Sequence, residues 1–263
     1  MGNLVELRKE LKGIAETKRA EVSQGFFKTG KGEYGEGDVF LGITVPQSRK
    51  IAIRFKELPF SKILGLLKSK IHEERLIALL ILVYNFNAGN EKAQKKIFDF
   101  YLENMQCVNN WDLVDLSADK IIGRYLFAWG PVGLHPRPTS SVASLPAGAR
   151  RGPPAPATPT LLLRLAKSEN IWERRIAIVS TYSSIKNNKF DETLKIAEML
   201  LNDRHDLIHK AVGWMLREVG KRDMKTEIKF LDKHYKKMPR TMLRYSIERF
   251  PEELRMDYLK NNV

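Results

Sequence analysis

The sequence predicts an all-α chain, built as a solenoid of stacked helical pairs in a single domain. Three observations carry this. Apolar residues recur three and four apart in segment after segment, no segment alternates polar and apolar in the manner of a strand, and the helical segments share a repeat of about 34 residues.

The N-terminal part holds a glycine-rich stretch, Gly25–Gly37 (GFFKTGKGEYGEG), and two prolines, Pro46 and Pro59, placed where helices should start. Helical periodicity is then clear over His72–Phe86. Asn87–Asn90 (NAGN) is a turn, and Glu91 opens the next helix, Glu91–Met105. Trp111–Phe127 follows with the same period. Beyond Gly130–Thr160 come Trp172–Ile185, Asp206–Val219 and Met238–Phe250, separated by Lys186–Lys189 (KNNK) and Gly220–Asp223. Pro239 and Pro251 again mark helix starts.

Four of these helices carry a basic residue followed by apolar ones, at Arg75, Arg175, Lys210 and Arg244. The gaps are 100, 35 and 34 residues. Removing the 31 residues of Gly130–Thr160 from the first gap leaves 69, or two periods, so a missing unit falls near Asn110-Trp111. Such a period suits helical pairs that bury their apolar faces only by stacking on neighbours.

Gly130–Thr160 is therefore read as an insertion of 31 residues in one continuous domain spanning residues 1–263. Eight of the twelve prolines lie in it, and it contains no Lys, Asp, Glu, Ile, Asn, Phe or Tyr. Proline and glycine at this density cannot continue a helix, so an exposed disordered loop is expected. Its Pro, Ala, Gly and Arg use GC-rich codons, whereas Lys, Ile and Asn elsewhere use AT-rich ones. Two origins stay open: a natural surface linker, or foreign or frame-shifted coding sequence.

Lys and Arg number 45 against 31 Asp and Glu, a net charge of +14, which points to a polyanionic partner. The single cysteine, Cys107, excludes an internal disulfide framework and Cys-based zinc fingers, and suits a reducing cytosol. No apolar run reaches 18 residues, and the N-terminus lacks an apolar signal core, so a cytoplasmic protein without membrane contact is expected. The closest histidine pair, His205 and His209, lacks the HExxH pattern, and no GxxxxGK[ST] occurs. Neither a metal nor another cofactor is expected.

Three tryptophans each precede a charged residue by one helical turn: Trp111 and Asp115, Trp172 and Arg175, Trp214 and Arg217. In parallel register these pairs line one concave surface holding rings, guanidinium groups and a single carboxylate. An acid inside a basic groove repels phosphate unless it has a use. Asp115 either stabilises positive charge on a substrate, or positions water, or pairs with a neighbouring Arg to order the groove. Residues Arg204–Arg249 hold thirteen Lys/Arg against six Asp/Glu, and Lys210, Arg217, Arg240 and Arg244 can share one phosphate-binding face. Lys28, in the glycine-rich segment, either touches the same backbone or belongs to a plain inter-helix loop.

GFFKTGKGEYGEGD…FLGI, NNWDLVD, SENIWERRIAI and HKAVGWMLREVGK…PRTMLRYSIERFP, in this order, resemble the AlkD-like DNA alkylation repair proteins. The resemblance implies a HEAT-like-repeat glycosylase that hydrolyses the N-glycosidic bond of purines alkylated at N3 or N7 in duplex DNA. It implies Asp115 as the catalytic carboxylate, Trp111 stacked near the lesion's deoxyribose, and Trp214 as the second active-site Trp. Arg175 would hold the phosphate backbone near the lesion. Lys28, Lys210, Arg217, Arg244, Phe26 and Trp172 are the expected DNA contacts. A monomer and a shallow groove without a base pocket are expected. The insertion is expected to threaten the placement of Arg175 relative to Asp115, and with it activity. A non-catalytic nucleic-acid-binding solenoid and a protein-binding helical-repeat scaffold are the alternatives.

Overall fold

The computed structural model describes residues 3–130, 160–260 and 262–263. Its helices stack in two layers. In one layer His72–Ala88, Trp111–Ala118, Ile171–Ser180, Asp206–Gly220 and Arg240–Ser246 each pack on the next. In the other, Phe60–Leu67, Glu91–Glu103, Leu161–Leu165, Asp191–Met199 and Met224–His234 lie behind them. Among the described residues the one extended pairing is an isolated bridge between Val39 and Ile71. The chain is thus an α-helical repeat, as its periodicity predicts. The unit missing from the arithmetic is the Trp111–Ala118 helix, seated between His72–Ala88 and Ile171–Ser180.

Local signals set the helix starts. Thr44 caps Val45–Arg54 in a reciprocal pair with Gln47, with Pro46 in the first turn. Pro59 and Pro239 stand at the N-caps of Phe60–Leu67 and Arg240–Ser246, and Pro251 precedes Glu252–Lys260. Asn90, Asn110, Asn170 and Asp223 each accept a backbone N–H of the helix they open. His72–Ala88 is buried almost all round, with Leu76 through Val83 all in the core. A helix apolar on every face must be covered on every face, and this one is the central strut of the N-terminal half.

Two expected single helices are broken. Trp111–Phe127 is a straight helix only to Ala118. A wider π turn occupies Asp119–Gly123, and Arg124–Trp129 then resumes. The Ser183 hydroxyl donates to Asp119 O (3.1 Å) and Asp119 Oδ1 (2.7 Å), and such an insertion into the backbone ladder is a recognised cause of local widening. Gly123 permits it, because a Cβ there would stand 2.1 Å from Ser180 O. The second, Trp172–Ile185, divides at Thr181 into Ile171–Ser180 and Tyr182–Lys186.

Of the expected insertion, Gly130 closes Arg124–Trp129 and Thr160 caps Leu161–Leu165, its hydroxyl accepting Leu163 N–H at 3.3 Å. The expected disordered loop between them, at 131–159, lies outside the described residues.

One buried group gives a stability prediction. Glu227 is 1% exposed beneath Gly220, and its Oε1 has no hydrogen-bond partner. Burial pushes its carboxyl from 4.5 up to about 9, against the pull of Arg217. The folded value exceeds the unfolded one, so the folded state holds an extra proton between those limits, and stability falls as pH rises through that window. Glu227→Gln is expected to be more stable than wild type by on the order of 1–2 kcal/mol at about pH 8, and equal to it at about pH 4. Thermal melts at both pH values check this; a wild-type advantage at pH 8 would contradict it.

Candidate active site

The repeat register explains the site. Arg175, Lys210 and Arg244 are each the fifth residue of their helices, Ile171–Ser180, Asp206–Gly220 and Arg240–Ser246. The fifth residue of Trp111–Ala118 is Asp115. A row of cations running along successive helices ends in one carboxylate.

Asp115 lies in a cleft of about 470 Å³, walled by Trp111, Trp214, Tyr34 and Tyr245 and edged by Lys28, Lys210 and Arg217. It is the one acid among the lining residues. The glycine-rich segment lies at this end of the row and brings Phe26, Lys28 and Tyr34 to the cleft. Glu33 and Glu36 brace the turns within this segment, accepting Gly30 N–H and Gly32 N–H at 2.8 Å each. Gly35 is required, because a Cβ would stand 2.4 Å from Phe27 O.

Arg175 does not reach outward to the phosphate position that the resemblance implies. It is 4% exposed, and its Nε and Nη2 donate to Asp115 Oδ1 (2.9 Å) and Oδ2 (2.8 Å). Its Nη1 donates to Leu207 O. All three nitrogens are committed, so the side chain is fixed and Asp115 with it. Burial pushes the Asp115 carboxyl above the usual range while Arg175 pulls it back. A bidentate guanidinium of this geometry favours the carboxylate form. The two residues meet although 131–159 intervenes between them, so the expected misplacement is not found in this pair.

The aromatic residues divide. Phe26 is 64% exposed at the cleft mouth, edge-on to Trp111 with centroids 5.9 Å apart. Phe27 stacks on Trp111 at 5.3 Å and meets Phe26 edge-on at 5.1 Å, so the three rings form one cluster. Trp214 lines the opposite wall, backed by Tyr182 at 6.1 Å. Trp172 departs from expectation. It is buried in the core and touches the cleft only through Tyr34, whose ring lies 6.1 Å away. The cause is register. Trp111 is four residues before Asp115 but Trp172 is three before Arg175, and one residue rotates a side chain about 100° around the helix. Ile171 holds the position equivalent to Trp111.

Tyr34 and Tyr245 escaped the sequence reading. Tyr34 is the lone aromatic in GKGEYGEG, and Tyr245 follows Arg244 directly; each was signalled only by an aromatic ring beside a basic residue or glycine turn. Burial raises the Tyr34 phenol above its ordinary value. Arg244 is exposed just outside the lining.

Two cleft cations already carry carboxylates. Lys210 Nζ lies 2.8 Å from Asp206 Oδ2, and Arg217 Nη1 pairs with Glu248. Pairing with Asp206 raises Lys210 above its ordinary value. Any incoming phosphate must displace these two exposed acids. Asp206→Asn and Glu248→Gln are each expected to raise duplex DNA affinity severalfold and to steepen its fall with salt. Titrations across a salt series check this, and unchanged affinity in both would show that phosphates do not use these cations.

Among the described residues, no helix is long and apolar enough to cross a membrane. A search of curated proteins finds no match. Among solved structures, one described as a predicted DNA alkylation repair enzyme from Enterococcus faecalis matches with a TM-score of 0.61. The match covers 90% of this chain and 97% of that one, at 15% identity, a likeness of fold. The family model described as DNA alkylation repair enzyme matches residues 7–132 and 148–250, leaving only 133–147 unmatched between its two parts. With most of its length matched, this chain belongs to the DNA alkylation repair enzyme family, whose partner is DNA.

Proposed function

We propose that the protein is a DNA glycosylase that excises N3- and N7-alkylated purines from duplex DNA by hydrolysis. The observation that carries this is Asp115, a lone carboxylate locked by Arg175 between two tryptophans in an otherwise cationic cleft. An alkylated purine is positively charged and leaves with the glycosidic electron pair, which neutralises it. Positive charge then grows on the sugar, and the bond to Asp115 strengthens as it grows. Water oriented by Asp115 adds at C1′ and passes a proton to the Asp115 carboxylate, which releases it to solvent.

Trp111 and Trp214 flank the lesion's deoxyribose. Lys28, Lys210 and Arg217 take phosphates at the cleft edge, and Arg244 takes one further out. Arg175 acts on the reaction through Asp115. The protein works as a monomer in the cytoplasm.

Release of 7-methylguanine or 3-methyladenine from methylated duplex DNA tests the reading. Time-dependent release above the spontaneous rate supports it. No release by well-folded protein overturns it and leaves a DNA-binding role.

A further inference from the structure

Behind Trp111 lies a second polar cluster that the reaction above does not use. His72, the first residue of His72–Ala88, is 2% exposed. Its Nδ1 lies 3.2 Å from Asp38 Oδ2, at the end of the glycine-rich segment, and its Nε2 lies 2.8 Å from Asp112 Oδ2, on the Trp111 helix. Arg75 Nη2 meets the same Asp38 oxygen at 2.6 Å, and Asn110 Nδ2 donates to it at 3.2 Å. The His72 ring stacks on Phe40 at 4.5 Å and leans on Phe27 at 5.0 Å, and Phe27 stacks on Trp111.

A neutral imidazole has one donor nitrogen and one acceptor. Here Nε2 faces the Asp112 carboxylate, and Nδ1 faces both the Asp38 carboxylate and, at 3.4 Å, the Arg75 Nη2 donor; with a carboxylate at each ring nitrogen the arrangement favours the doubly protonated ring. The cluster then closes with two anions, Asp38 and Asp112, and two cations, His72 and Arg75. These are the charged groups that face His72 from its own helix, the loop and the Trp111 helix.

The cluster holds Trp111 from two sides. Asp38 grips Asn110, the residue that caps the Trp111 helix, and Asp112 follows Trp111 directly. Phe27, clamped by the His72 ring, supports the indole face. We propose that His72 is a positioning residue that pins the loop before Phe40 to the Trp111 helix and thereby fixes the Trp111 wall of the cleft. Its bearing on catalysis rests on the glycosylase reading above. Burial opposes the charged ring, but Asp112 and Asp38 outweigh it and raise His72 above its ordinary value. The sign follows: the clamp is complete below the unfolded value and is lost as pH rises through the raised folded one.

Two measurements test this. The first needs no activity. In protein labelled at histidine and tryptophan nitrogens, His72 is expected to remain doubly protonated above the ordinary midpoint of about 6.5. The Trp111 indole signal, assigned with Trp111→Phe, is expected to shift with the same midpoint. A neutral His72 at pH 7, or an indole signal that ignores its titration, overturns the proposal.

The second is single-turnover excision. His72→Gln keeps a donor toward Asp112 but not the charge, and is expected to cut the rate about tenfold, as a small misplacement of a catalytic wall would. Affinity for undamaged duplex should stay within about twofold. The alkaline fall of the wild-type rate that tracks His72 should vanish in the variant, an effect that mere loss of stability does not produce. Equal rates and equal pH profiles overturn the proposal. If wild type releases no base, the glycosylase reading fails while the spectroscopic arm still decides the clamp. Where His72→Gln fails to fold, the same arm on wild type decides it.

Discussion

Asp115→Asn is expected to lower single-turnover release of 7-methylguanine by about a hundredfold to a thousandfold, the range seen when one preorganised charge-stabilising group is removed. Asparagine preserves the size of the side chain and keeps an oxygen for Arg175, but it removes the only anion among the cleft-lining residues. The cationic sugar then meets Lys28, Lys210, Arg217 and an uncompensated Arg175, so the barrier rises from both sides. The same change deletes a charge that repels phosphate. Affinity for undamaged duplex is therefore expected to hold or to increase while the rate collapses. That opposition is the signature of a group whose use is confined to the transition state. Equal release by variant and wild type would remove Asp115 from the mechanism.

The sequence and the structure meet where side chains obey a repeat. Helix spacing, the proline starts, and the placing of Trp111, Asp115 and Trp214 in one cleft all follow from period and register, which are local properties of the chain. The departures have another origin. Trp172 is buried because it is the second residue of its helix where Trp111 is the first, and the helix turns by about 100° between those positions. The His72 clamp comes from contacts between segments 34 and 40 residues apart, Asp38 to His72 and His72 to Asp112, and Tyr34 reaches the cleft from a loop; the helical periodicity carries no signal for either. The π turn at Asp119–Gly123 needs Ser183, 64 residues away. Arg175 lines the cleft, but its target is not legible in the sequence. A guanidinium serves a phosphate or a carboxylate with the same fork, and only the approach of Ile171–Ser180 to Trp111–Ala118 selects the carboxylate.

That choice of target separates two outcomes for Arg175→Ala. If Arg175 gripped a DNA phosphate, its loss would weaken undamaged-duplex binding and lower the salt slope by about one unit. Because it is buried on Asp115 and Leu207 O, the expected result is different. Duplex affinity and salt slope stay near wild type, while the fold loses about 3–5 kcal/mol, the usual cost of stripping the partner from a buried charge. Asp115, already pushed up by burial, loses the guanidinium that pulls it down and climbs further. Near neutral pH a larger share of the carboxyl is then protonated, and a protonated acid neither stabilises the cationic sugar nor draws a proton from water. Residual excision should therefore increase as pH is raised, a trend absent from wild type over the same range below the His72 titration. Arg175→Lys restores the charge but not the bidentate fork or the bond to Leu207 O, so it should recover part of the stability and less of the rate. Chemical denaturation, binding across a salt series and a pH–rate profile on the same two variants decide the matter. A flattened salt slope with unchanged stability would return Arg175 to the phosphate backbone, and would leave Asp115 without the partner that keeps it charged.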